Sequence, residues 1–162
     1  MTVQPIIQTL EKLIRLYESF LSLSKEKTDI VKEGSASRLQ SLLIKEQKHV
    51  QAVEQADTKR REAVREWAVQ QNADPDKVTI TTILEAHTDA SGSKELEALT
   101  VKLTNILAKL KKQEHLNREL IKQSLQFVEL SLDMMSPTIR NMNYGEQSSS
   151  GTLERSVFDS KA

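Results

Sequence analysis

The apolar residues of this chain recur with a helical period along most of its length. Val3, Ile7, Leu10, Ile14, Tyr17 and Leu21 step by four and three, and Ile6, Leu13 and Phe20 widen the stripe. A stripe that broad suits a helix in a bundle better than a two-stranded seam. It predicts a first helix over residues 3–32, with Pro5 in the first turn, where its missing N–H is not needed. Gly34 stands where a left-handed C-cap belongs. A second helix follows the cap region Ser35-Ala36-Ser37, with Ser37 and Gln40 spaced for a capping box, and runs to about residue 71 on Leu39, Leu42, Leu43, Val50, Val53, Val64 and Trp67. Residues 54–62 are polar, which predicts looser packing there. Asp74-Pro75 marks a turn, and residues 78–87 read as a short helix holding Ile80, Ile83 and Leu84, with Thr82 and Glu85 as its cap.

Ser91-Gly92-Ser93 opens the longest element, residues 94–135. Leu96, Leu99, Leu103, Ile106, Leu110, Leu120 and Phe127 form its stripe, interrupted by Gln113, Asn117 and Ser124. A polar residue in a seam costs stability but fixes register, so Asn117 is a candidate alignment device. Ser136-Pro137 predicts the end of the helix, and the Ser-rich remainder reads as a flexible tail. Short connections make sequential helices antiparallel. The expected fold is therefore all-α, an elongated antiparallel bundle of three long helices and one short helix over residues 1–135, with a tail over 136–162.

Composition narrows the function. Lys plus Arg and Asp plus Glu both number 23, so the formal net charge is zero. Binding dominated by phosphates needs a basic excess, which argues against nucleic acid. Lys59-Arg60-Arg61 is flanked by Asp57, Glu62 and Glu66 and reads as a solvated helix face. With no cysteine, thiol chemistry and cysteine-bound metals are excluded. No stretch approaches the ~20 apolar residues that span a bilayer, and no secretory signal is visible, so membrane insertion is not expected and a cytoplasmic location is. Of the three histidines, His49 lies three residues from Glu46, one quarter of what a di-iron carboxylate bundle uses, while His87 and His115 have no such partner. No catalytic triad or phosphate-cradling loop is present, so neither catalysis nor a cofactor nor a metal is expected.

Apolar density is the outlier. Nine of the sixteen residues 120–135 are apolar, more than one bundle core can take from one helix. Three readings are open: an end enclosed by its neighbours, a homodimer interface of a structural coiled-coil or scaffold protein, or a surface that takes an amphipathic helix from a partner. The candidate partner-binding residues are Leu120, Ile121, Ser124, Leu125, Phe127, Val128, Leu132, Met134 and Met135, the methionines suiting a surface that repacks. Tyr144 and Phe158, aromatic residues in a polar tail, either dock back onto the bundle or anchor in another protein.

With these residues in view, the chain resembles the FlgN-type flagellar export chaperones, in particular their Bacillus-like branch. The resemblance is carried by Leu16-Tyr17-Glu18, the run from Leu21-Ser22-Leu23 to Lys27-Thr28, the Gly34-Ser35 break and Leu42-Leu43-Ile44-Lys45-Glu46-Gln47. It continues in Leu116-Asn117-Arg118-Glu119-Leu120, Ser124-Leu125-Gln126-Phe127, Asn143-Tyr144 and the ending Phe158-Asp159-Ser160-Lys161-Ala162. The resemblance implies a cytoplasmic chaperone that holds the terminal amphipathic helices of the hook-associated proteins of the hook–filament junction and delivers them to the type III export gate. It further implies client binding by the C-terminal part, here residues 120–135 and the tail, and docking of Tyr144 to the gate component FlhA.

Overall fold

The computed structural model describes residues 2–86 and 89–146, with side chains described as far as Met135. These residues form four helices and no strand: α1 (Gln4–Glu33), α2 (Ala36–Gln70), α3 (Ile80–Ala86) and α4 (Ala90–Glu146). The chain divides into two units, Met1–Leu120 and Ile121–Ala162, so that α4 contributes to both.

Local chemistry sets the boundaries. Gly34 adopts φ 72°, and its N–H reaches the carbonyls of Ile30 and Val31, closing α1 as expected. The N-cap of α2 is Ser35, not Ser37: its side chain accepts from the N–H of Arg38. Directly after the left-handed glycine the chain is extended at Ser35, which is the conformation an N-cap requires, while Ser37 already lies inside the first turn. Past α2, Asn72 takes a positive φ of 53° and Ala73 N–H bonds to Ala68 O. Asp74 then accepts from Asp76 N–H, making the expected turn. Thr79, rather than Thr82 and Glu85, caps α3, its hydroxyl accepting from Thr82 N–H. Asp89 caps α4 by accepting from Ser91 and Gly92, which places Ser91-Gly92-Ser93 within the helix. At the other end, α4 continues through Pro137 to Glu146 instead of stopping at Ser136-Pro137. A proline removes one backbone hydrogen bond and crowds one carbonyl, which a long helix can absorb without ending. His87 and Phe158 lie outside the described residues.

In the first unit, Lys27 meets Glu46, Ser19 meets His49, and residues at the start of α1 share a core with Trp67, so α1 and α2 are antiparallel. Glu18 meets Lys102, Ser24 meets Glu114 and Thr28 meets Asn117, so α4 runs parallel to α1, up-down-up as short connections dictate. One core cluster joins Val3, Ile6, Ile7 and Leu10 to Trp67, Ala68, Ile83 and Leu96. A second, smaller one joins Leu23, Ile30 and Leu42. Between Leu42 and Trp67, Ala56 is the one buried residue of α2, in keeping with the polar stretch, while Leu43 and Val50 of the expected stripe are exposed. The Lys59-Arg60-Arg61 run is neutralised locally: Arg60 and Arg61 both bond Asp57. Burial pushes the Asp57 carboxyl up, but those bonds and charges outweigh it and hold it below its ordinary range.

Near the end of the α1–α2 hairpin the core becomes polar. Lys27, its side chain 7% exposed, donates to Glu46 at 2.6 Å and to Glu114 at 3.1 Å. Ser24 donates to Glu114. Asn117, 1% exposed, donates to Ser24 O at 2.8 Å and accepts from Thr28, whose hydroxyl in turn accepts from Gln113. Each of these buried polar groups has a partner on a neighbouring helix, and the partners meet only when the helices are aligned in this way. Asn117 has the aligning position expected of it. Removing the cation should leave two carboxylates facing each other: Lys27→Met is expected to lower the unfolding free energy by about 3 kcal/mol in urea titrations, with Glu46→Gln and Glu114→Gln recovering part of the loss. A cost under about 1 kcal/mol would mean that the layer is not an interdependent unit.

Candidate functional site

Beyond Leu120, α4 keeps its helical backbone while its apolar side chains face solvent. Leu125, Phe127, Val128, Leu130, Leu132, Met134 and Met135 are 52–72% exposed. Ser124 is exposed as well, and Leu120 and Ile121 are half-buried. Phe127 shows the contrast well: it falls three heptads after Ile106, which is buried, yet it is 71% exposed.

The 3.6-residue turn sorts these side chains onto two faces. Ile121, Leu125, Val128, Leu132 and Met135 step by four and three along one face. Leu120, Phe127, Leu130 and Met134 lie on another, about 135° round the helix. A single exposed leucine needs no explanation, but seven large apolar side chains on one helical segment make an unusually large exposed apolar surface. Backbone polar groups inside a helix are already satisfied, so what the segment offers is apolar area and shape, suited to the stripe of another helix. Tyr144 falls within α4 instead of a tail, and its side chain lies outside the described residues.

Other candidates are absorbed into the bundle. Glu46 accepts from Lys27, and His49 bonds Ser19 at 2.8 Å and Lys45 O at 3.0 Å while its ring meets Phe20 edge-on. Among the described residues no three His, Cys, Asp or Glu side chains gather where a metal ion could sit. Nor is any helix there long and apolar enough to cross a membrane.

A helical bundle joined to a helix with two uncovered apolar faces defines a protein that works by binding other proteins. The chain belongs to the FlgN family, matching the FlgN protein family over residues 1–151. It is 35% identical to the uncharacterized protein YvyG of Bacillus subtilis (strain 168), an alignment that covers the whole of both chains. No solved structure matches it. The FlgN family is one of flagellar chaperones, which gives the chain the general role of a flagellar export chaperone.

Sequence reasoning finds the exposed segment through its apolar surplus but misses the partners of Asn117. Continuing the four-three steps of α1 past Leu21 would have reached two of them, Ser24 and Thr28. Because the exposed side chains hold up no core, Phe127→Asp combined with Val128→Asp should leave helical circular dichroism and thermal midpoint unchanged. The same variant should bind less than half as much of an apolar fluorescent dye such as anilinonaphthalene sulfonate. Unaltered dye binding would place the exposed apolar surface elsewhere.

Proposed function

We propose that this protein is a cytoplasmic chaperone for hook-associated proteins, the proteins of the hook–filament junction. It holds their terminal amphipathic helices against residues 120–135, keeps them from assembling early and delivers them to the flagellar export gate. The observation that supports this reading most is the exposure of the seven apolar side chains between Leu125 and Met135. Burying a large apolar side chain contributes roughly 1.5–3 kcal/mol, so covering even four of them offers about 6–12 kcal/mol. Association costs on the order of 4–15 kcal/mol before any net affinity appears. The segment is therefore suited to a client that covers most of it, and two apolar faces favour a client that packs on both sides of α4. An apolar helix surface is also what a chaperone of this kind must hide in its client, because the same stripe drives the client's own assembly.

The identity of the clients rests on membership of the FlgN family, as does the role of Tyr144, which we assign to docking at the gate component FlhA. Partner binding is assigned to Leu120, Ile121, Ser124, Leu125, Phe127, Val128, Leu132, Met134 and Met135. Purified hook-associated proteins should co-elute with the parent protein, and Phe127→Asp with Val128→Asp should weaken that binding at least a hundredfold. Tyr144→Ala should leave client binding within twofold while lowering secretion of the clients from motile cells. A concentration-independent homodimer that buries residues 120–135 in light scattering and cross-linking would instead favour a scaffold protein.

A further inference from the structure

Within the first unit, α1 and α4 leave a second surface that the exposed segment does not include. Leu21 of α1 and Leu116 of α4, the latter 45% exposed, floor a groove of about 560 Å³. Lys25, Lys109 and Lys112 line it, with Glu119 as the acidic residue of the lining. The spacing brings them together: Lys109, Lys112 and Leu116 fall at i, i+3 and i+7 on one face of α4, and Lys25 lies one turn past Leu21 on α1. One step earlier along the same two helices, Lys102 is neutralised by Glu18 at 3.0 Å. Lys25, Lys109 and Lys112 make no ion pair among the described residues, although the chain has 23 acidic residues to match its 23 basic ones.

We propose that this groove docks an acidic amphipathic helix of a partner polypeptide. Three unpaired ammonium groups around an apolar floor repel one another, and carboxylates flanking an apolar side chain would relieve that repulsion while covering Leu21 and Leu116. The floor is too apolar, and the cations too few, for a phosphate backbone, which needs many such contacts. Glu119 gives the site a polarity: the end of the partner helix that lies against it carries a basic or neutral residue. The groove shares no residue with the segment 120–135, so it stands or falls apart from the client-binding role proposed above.

The test uses full-length protein carrying Phe127→Asp and Val128→Asp, so that the exposed segment cannot take up the probe. Two fluorescein-labelled 18-residue amphipathic peptides serve as probes, alike in their leucine stripe and bearing either glutamate or lysine on its flanks. In 50 mM salt the glutamate peptide should bind at least tenfold more tightly than the lysine peptide. Lys109→Glu with Lys112→Glu, both at exposed positions, should abolish that preference with unchanged helical circular dichroism, and Leu116→Asp should weaken binding of the glutamate peptide at least tenfold. Equal affinity for the two peptides would overturn the proposal, as would a preference that survives the charge reversal. So would lysine-dependent binding of single-stranded DNA or of phosphatidylglycerol vesicles without binding of the peptide.

Discussion

The interaction on which the rest of this structure depends is the polar layer around Lys27 and Asn117. Apolar stripes on three long helices can slide past one another by a heptad at modest cost, because leucine against leucine is much the same in either register. A buried ammonium between two carboxylates cannot slide, since any other alignment leaves it unpaired in the core. Nor can Asn117, which needs both the backbone of Ser24 and the hydroxyl of Thr28. The layer thus converts a set of generic amphipathic helices into one arrangement, and it does so close to the end of the α1–α2 hairpin, where apolar packing from the main core has thinned to Leu23, Ile30 and Leu42.

A bundle aligned by polar contacts can leave part of its longest helix unpacked without losing its fold. α1 and α2 have 30 and 35 residues, and α4, with 57, extends from the first unit into the second. The large apolar side chains between Leu125 and Met135 are exposed, and none of them belongs to either core cluster. The buried residues that support the fold, such as Ile6, Trp67, Leu96 and Lys27, lie in the first unit.

Much of this was legible in the sequence, for reasons that can be stated. The four-three steps of Val3, Ile7, Leu10 and Ile14 and the glycine at position 34 give α1 and its end, and the surplus of apolar residues after Leu120 gives the exposed segment. Asn117 stands out because leucines surround it in the α4 stripe. Its partners do not stand out, and neither do those of Lys27, which finds carboxylates 19 and 87 residues away; only the packed structure says which groups meet. Caps are ambiguous wherever serines and threonines cluster, as at Ser35 and Ser37 or Thr79 and Thr82, and the choice there depends on backbone geometry. The lysine-lined groove is hidden for the same reason as the polar layer: two helices contribute to it, and neither alone is notably basic.

The proposed chaperone role requires that a client helix cover residues 121–135. Hydrogen–deuterium exchange followed by mass spectrometry, on the free protein and on its complex with a hook-associated protein, addresses it residue range by residue range. Amides of residues 121–135 should exchange at least tenfold more slowly in the complex, while those at the start of α1 are unchanged. Protection confined to residues 1–120, with 121–135 exchanging as in the free protein, would contradict that role.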